Sequence, residues 1–285
     1  MKHSRIIGSL IVLALVALGA TAFLNRHSRP RDPAPVPTAE AVRRIVEVTA
    51  RDYAFDAPDT LAPGPVTFRF TNHGPDVHHV YIASLPEGKT LADLVNETKG
   101  ELLPAWAMTI GGPGAQIPGG HGETSLTLTP GRYAMVCIVP APDGVPHIKK
   151  GMMHEFTVAG PMTTLASPVP SVVMTLRDYG FDLSAPLTAG RNVIEVRNTA
   201  TQHHEVIILK LAPGKKSADL LTWFATHAGP PPAAVIGGTS PFAPGMTNIV
   251  DITLEPGEYG LICFATDVHD GKMHVEHGMS TEFTI

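Results

Sequence analysis

The sequence contains one domain-length pattern twice. Shifted against itself by 126 residues, it matches without a gap over almost ninety positions, and an extra residue after the second cysteine changes the offset to 127. A match of this length indicates a duplicated domain. The matched segments include 51–56 with 177–182, 88–94 with 214–220, 110–112 with 236–238, 130–137 with 256–263, and 151–158 with 278–285. We therefore predict domains at 44–159 and 170–285, joined by a linker at 160–169 that is rich in proline and small residues.

The first 43 residues do not belong to the repeats. Residues 6–24 form an apolar run that follows Lys2 and Arg5 and precedes a polar, proline-rich stretch, which is typical of an export signal. Ala20-Thr21-Ala22 has the form of a cleavage site, but the run is also long enough to remain as a membrane anchor. In both cases we expect the repeats to lie outside the cytoplasm, in the periplasm or the extracellular space.

Composition excludes several other classes of protein. A formal net charge of −5 leaves no basic stripe for a phosphate backbone, so nucleic acid is not an expected partner. Two cysteines in 285 residues are too few for a small scaffold held together by disulfides. The composition is otherwise that of an ordinary globular protein.

Within each repeat the pattern is that of strands. Apolar residues alternate over 66–70 and 126–128, the period of a strand with one buried face. Pro-Gly turns separate the strands, and we also expect turns at the glycine pairs 111–112 and 237–238. Short helices are predicted from Thr90 to about residue 99 and from Ser217 to about residue 226, each beginning at a hydroxyl residue suited to an N-cap. The sequence therefore predicts an all-β protein of two β-sandwiches, each with one small helix.

The two repeats also share a set of metal-binding side chains. Each contains His, Cys, His and Met in that order: His78, Cys137, His147 and Met152, then His204, Cys263, His274 and Met279. Two imidazoles, a thiolate and a thioether suit copper, with the thioether as a weak axial donor. Zinc and calcium rarely use methionine. The spacing places three donors at one end of a sandwich, because the cysteine ends one strand and the His-x4-Met segment leads into the last.

Both repeats resemble cupredoxin domains, the Greek-key β-sandwiches of the blue-copper proteins. The similarity is carried by Gly131-x-Tyr133-x3-Cys137 with His147-x4-Met152, and by Asn72 followed by Val77-His78-His79. It implies a type 1 copper ligand role for His78 and, by the repeat register, for His204. The loops from cysteine to histidine, nine and ten residues long, are similar to those of two-domain nitrite reductases.

The chain departs from the enzymes of that superfamily. There, a histidine beside the cysteine leads electrons to a second copper centre, whereas Val136 and Ile262 stand at that place here. The sequence also has no His-x-His pair. The resemblance therefore implies an electron carrier or copper binder rather than an oxidase, with a redox partner or a copper donor or acceptor protein as its partner.

Other interpretations of these residues remain open. The protein could store or deliver copper, with His269, Met273 and His277 as exchange ligands, or it could be a metal-free interaction module whose cysteines are only buried. A disulfide would require the two cysteines to approach across separate domains. We assign a structural role to Asp52, to its counterpart Asp178 and to the neighbouring aromatic residues. Six histidines have no counterpart in the other repeat, and we expect them to lie on the surface and not to act as ligands: His73, His79, His121, His154, His203 and His227.

Overall fold

The computed structural model describes residues 43–100, 102–226 and 229–285. The predicted export segment at 6–24 lies outside this part of the chain. None of the helices in the described ranges is both long enough and apolar enough to cross a membrane. Export and membrane attachment stay predictions.

The described part of the first repeat is built from nine strands and one α-helix. Their bounds are β1 (Ile45–Arg51), β2 (Ala54–Asp56), β3 (Thr60–Leu61), β4 (Gly64–Asn72), β5 (Tyr81–Leu85), α1 (Leu91–Glu97), β6 (Thr109–Gly111), β7 (His121–Leu128), β8 (Gly131–Val136) and β9 (Met153–Val158). A short 3-10 helix at His147–Lys150 precedes the last of these strands.

The second repeat follows the same order. Its elements are β10 (Val172–Arg177), β11 (Gly180–Leu183), β12 (Gly190–Asn198), β13 (His204–Leu211), α2 (Asp219–Thr226), β14 (Ala233–Phe242), β15 (Thr247–Leu254), β16 (Glu258–Ile262) and β17 (Ser280–Thr284). A 3-10 helix at His274–His277 again precedes the last strand. The predicted all-β fold, with one short α-helix in each repeat, is confirmed.

Alternating apolar residues build the core of each sandwich. In β4, Val66, Phe68 and Phe70 are buried while Arg69 between them is partly exposed, as the strand period predicts. Burying a phenylalanine of this kind stabilises the fold by about 1.5–3 kcal/mol. Strand β5 is buried on both faces, because α1 covers its outer side with Leu94.

The helix caps were predicted with partial success. Thr90 caps α1 as expected: its hydroxyl accepts the Asp93 N–H at 3.1 Å, and the Asp93 carboxylate accepts the Thr90 N–H at 2.9 Å. Ser217 does not cap α2, because its hydroxyl is buried without a partner in the described residues, against Gly260. The carboxylate of Asp219 accepts the Lys216 N–H instead, at 3.0 Å.

Both sheets continue from one repeat into the other. The eight-stranded sheet has the order β11-β10-β12-β15-β7-β4-β1-β2, and the nine-stranded sheet has the order β17-β16-β13-β14-β6-β5-β8-β9-β3. In the first sheet β15 pairs with β7, and in the second β14 pairs with β6. The two repeats are thus joined by backbone hydrogen bonds between strands. The domain boundaries at 159 and 170 stay predictions.

The glycine pairs were wrongly assigned to turns. Gly237 and Gly238 lie within β14, and Gly111 ends β6 with Gly112 directly after it. A Cβ at Gly112 would lie 2.3 Å from the Val80 carbonyl oxygen. The pairs are glycine because neighbouring strands pass too close for a side chain.

Candidate metal centres

The fold brings the predicted donors of each repeat to one end of its sandwich. Cys137 follows directly on β8 and Cys263 on β16, while His147 and His274 begin the two 3-10 helices. The first histidines come from the neighbouring strand: His78 lies just before β5, and His204 begins β13. Strand ends that are adjacent in the sheet thus carry donors that are far apart in sequence.

The first cluster consists of His78, Cys137 and His147. The two Nδ1 atoms lie 3.1 Å apart, and Sγ of Cys137 lies 3.9 Å from Nδ1 of His78 and 3.5 Å from Nδ1 of His147. All three side chains are fully buried. Both imidazoles therefore present the same nitrogen to one point beside the sulfur.

The second cluster repeats this geometry. Sγ of Cys263 lies 3.9 Å from Nδ1 of His204 and 3.5 Å from Nδ1 of His274. The two rings are 4.3 Å apart between centroids, and all three side chains are fully buried. Each cysteine is free and packs in the hydrophobic core of its own repeat, which leaves no disulfide between them.

The methionines lie beside the cysteines. The Cys137 N–H donates to the Met152 carbonyl at 3.2 Å, and the Cys263 N–H donates to the Met279 carbonyl at the same distance. Both methionine side chains are fully buried, each in the same hydrophobic cluster as its cysteine. The loop from His147 back to the last strand thus returns a thioether to the neighbourhood of the thiol.

The spacing of the donors fits one metal ion in each cluster. Metal–nitrogen bonds of about 2.1 Å and metal–sulfur bonds of about 2.3 Å, spread in a plane, separate the donors by about 3.5–3.8 Å. The distances of 3.1–3.9 Å in the first cluster bracket that range. Trigonal His₂Cys sites with a nearby methionine are a copper geometry. The donor set therefore fits copper.

Burial sets the protonation state of the donors. It lowers the pKa of His147, with a smaller contribution from His78, to about 4, and it lowers the pKa of His274 to about 4 in the same way. Burial raises the pKa of the Cys137 thiol to about 12 and also raises the pKa of Cys263. His147 and His274 are thus neutral near pH 7, and the thiol proton is the one that a metal must displace.

Sequence reasoning missed the carboxylates behind the first histidines. Nε2 of His78 donates to Oδ1 of Asp52 at 2.5 Å, and Nε2 of His204 donates to Oδ1 of Asp178 at 2.9 Å. Burial opposes ionisation of Asp178, but hydrogen bonds from His204 and Thr201 outweigh it, so its pKa lies below the ordinary value. The signal was present in the sequence, because both aspartates occupy the same repeat position, but it could not be separated from a purely structural role.

His79 was wrongly assigned to the surface. Its side chain is buried, and its Nε2 accepts the N–H of Ile138, the residue after Cys137, at 3.1 Å. In the second repeat the buried Glu205 takes this place and accepts the Phe264 N–H at 3.0 Å. Two different side chains therefore brace the cysteine loop in the same way.

A third group of potential ligands lies on the rim of the second cluster. Asp267, Asp270 and His277 have ligand atoms within 4.8 Å of one another. The carboxylate of Asp267 already accepts bonds from Tyr179 at 2.5 Å, from Gln202 at 2.9 Å, and from two backbone N–H groups of its own turn. These four hydrogen bonds use the lone pairs of the Asp267 carboxylate to order its loop. We therefore do not assign this group as a metal site.

The solved structures to which this chain is similar include auracyanins and a multicopper oxidase. A reduced auracyanin from the photosynthetic bacterium Roseiflexus castenholzii is 26% identical over 41% of this chain and 97% of its own, with a TM-score of 0.29. Auracyanin A of Chloroflexus aurantiacus, a "blue" copper protein, is 22% identical over 40% of this chain and 98% of its own, with a TM-score of 0.31. A multicopper oxidase is 14% identical over 85% of this chain and 88% of its own, with a TM-score of 0.26. No protein-family model matches the sequence, and no curated protein matches it.

Two β-sandwiches with a buried His–Cys–His group at one end of each are cupredoxin-like domains, as the sequence predicted. This is a copper-binding protein. That conclusion rests on the chemistry and spacing of the donors in the two clusters.

Proposed function

We propose that the protein is an exported electron carrier with one type 1 copper site in each repeat. The observation that carries this proposal is the pair of buried His–Cys–His clusters with nearly the same donor distances. His78, Cys137 and His147 would hold one ion with Met152 as the weak fourth donor, and His204, Cys263, His274 and Met279 would hold the other. When bound, copper supplies a one-electron couple between Cu(II) and Cu(I).

The protein's contribution would be to keep the donors fixed. The side chains of the first cluster are fully buried, and His78 is held by Asp52 from behind. The cysteine loop is braced by the Ile138 N–H on His79. Donors that cannot relax favour nearly one geometry for both oxidation states, which is the requirement for rapid electron exchange.

Burial of the donors also favours a carrier over a delivery protein. A protein that hands copper to a partner needs donors that an incoming ligand can reach, whereas every histidine and cysteine of the two clusters is fully buried. This arrangement favours retention of the ion through the redox cycle. The partner would then be a redox protein. Export through residues 6–24 would place this protein outside the cytoplasm, so the partner that it meets would also be there.

The test is the spectrum and the metal content of the purified protein. We expect two coppers per chain, a strong visible absorption from thiolate-to-Cu(II) charge transfer, and reversible bleaching on reduction. A Cu(I) chelator added to the reduced protein should remove little metal. Absence of colour at full loading with both thiols reduced would refute type 1 sites, and rapid loss of Cu(I) to the chelator would favour delivery.

A further inference from the structure

The first histidine of each cluster has a carboxylate on the side away from the metal position. Nε2 of His78 lies 2.5 Å from Oδ1 of Asp52, and Nε2 of His204 lies 2.9 Å from Oδ1 of Asp178. Since an ionised carboxylate only accepts hydrogen bonds, the proton of each ring sits on Nε2. The lone pair of Nδ1 is then free to face the cysteine sulfur.

The second histidine of each cluster lacks such a partner. Within the described residues, Nε2 of His147 and Nε2 of His274 are buried and make no hydrogen bond. Each has a carboxylate only at the longer distance of an ion pair. Oδ2 of Asp76 lies 3.8 Å from Nε2 of His147, and Oδ2 of Asp267 lies 4.0 Å from Nε2 of His274. The hydrogen bond to a carboxylate is therefore specific to the first histidine, and it is made by the same repeat position in both domains.

The two carboxylates are not equivalent. Asp178 also accepts hydrogen bonds from Thr201, at 2.8 Å from the hydroxyl and 3.3 Å from the N–H. The repeat places Pro75 where Thr201 stands, and proline has neither a hydroxyl nor an N–H. The side chain of Asp52 is also less exposed, at 20% against 32% for Asp178. The carboxylate of Asp52 therefore interacts with its histidine more strongly than the carboxylate of Asp178, which also binds Thr201.

We propose that Asp52 and Asp178 are positioning residues that stabilise Cu(II) over Cu(I) through the imidazole of the first histidine, and that Asp52 does so more strongly. A carboxylate behind a ligating histidine fixes the tautomer and makes the ring a stronger donor. Its negative charge lies near the ion in a buried setting, where Coulomb energies are large. This inference rests on the proposed type 1 sites, and it makes the two coppers inequivalent.

The experiment uses chains that retain one site each. Cys263→Ser leaves the first site and Cys137→Ser leaves the second, and Asp52→Asn or Asp178→Asn is then added to the matching background. Asparagine keeps a carbonyl oxygen that can accept the Nε2–H, so the geometry is preserved while the charge is removed. The readouts are the visible spectrum and the reduction potential of the remaining copper.

We expect both substitutions to leave the copper and its colour in place and to favour Cu(I). Asp52→Asn should shift the Cu(I)/Cu(II) ratio by about tenfold or more, equivalent to a rise of about 59 mV, and Asp178→Asn by less. Thr201→Val, in the chain that keeps only the second site, should shift the ratio towards Cu(II). The substitution removes the hydroxyl hydrogen bond that partly offsets the negative charge of Asp178. Asp182→Asn, at an exposed carboxylate paired with Arg177, is the matched control and should change neither quantity.

The outcomes separate the two proposals. Colourless parent chains at full copper loading would refute the type 1 sites themselves. Coloured chains whose potential is unchanged by Asp52→Asn and by Thr201→Val would refute the role of the carboxylates. Equal shifts from Asp52→Asn and Asp178→Asn would overturn the inequivalence. If Asp52→Asn fails to fold, the exposed Thr201 still provides the measurement.

Discussion

Asn248 of the second repeat fills the space that a side chain at Gly111 of the first repeat would need. Oδ1 of Asn248 lies 2.2 Å from the position of a Cβ at Gly111. The same amide accepts the Gly112 N–H at 3.2 Å and donates to the Ile110 carbonyl at 2.9 Å. This side chain therefore locks the two repeats together where β14 meets β6.

Gly111→Ala should destabilise the whole protein. The residue has φ +97°, so a Cβ adds about 1–2 kcal/mol of backbone strain, and its overlap with Asn248 adds about 1–3 kcal/mol. Urea denaturation should show this loss in the free energy of unfolding. Gly88→Ala is the control, because φ is +79° and no atom lies within 4 Å of its Cβ position; equal losses in the two variants would contradict the interlock.

Arg43 should be a second determinant of the contact between repeats. Its side chain is 2% exposed and pairs with Glu123 in β7 at 3.5 Å and with Asp251 in β15 at 3.3 Å. Glu123 also pairs with Arg69, and Asp251 also pairs with Arg191, so neither carboxylate is left without a cation when Arg43 is removed. The loss is then that of hydrogen bonds to charged groups, about 1.5–3 kcal/mol. We expect Arg43→Ala to lower the free energy of unfolding by an amount in this range.

The control for that variant is an exposed pair. Arg177 and Asp182 have side chains that are 59% and 52% exposed, and Arg177→Ala should cost no more than about 1 kcal/mol. Thermal unfolding of the two variants, followed by circular dichroism, measures the difference. A loss for Arg43→Ala as small as that for Arg177→Ala would show that its charges do not hold β7 and β15 together.

The repeat explains why the clustering of these histidines and cysteines could be predicted from sequence. A duplicated fold retains core residues in any case, but retention of His, Cys, His and Met in one order has a chemical meaning, and the structure places the histidines and cysteine of each set within 4.8 Å. Strand alternation was equally informative, because Phe68 and Phe70 face the core as their period requires.

Contacts between distant segments could not be predicted in this way. Asp52 reaches His78 across 26 positions, and its place at a strand corner gave an adequate structural explanation by itself. The glycine pairs were assigned to turns because close approach of two strands leaves no local pattern. The pairing of β14 with β6 could not be predicted from the sequence either. The self-similarity of the sequence identifies the repeated units, but it does not show which strands of one unit pair with the other.

Each cysteine should be required for one copper only. Cys137 and Cys263 pack in separate hydrophobic clusters, each with its own methionine. Cys137→Ser and Cys263→Ser should therefore each remove about one copper per chain and about half of the visible absorption. Equilibrium dialysis with metal analysis measures the stoichiometry, and loss of both coppers from either variant would indicate one site shared between the repeats.

The methionines should control the redox potential more than the copper content. Met152 and Met279 lie beside the cysteine backbones and are fully buried, and a thioether in this position is a weak axial ligand whose identity tunes the potential. Met152→Leu keeps the volume and the three strong donors, so we expect copper to stay bound while the first site shifts towards Cu(I). Met162→Leu, at a methionine that is 58% exposed, should leave the potential unchanged. A potential that responds equally to both substitutions, or not at all to Met152→Leu, would mean that Met152 is only a core residue.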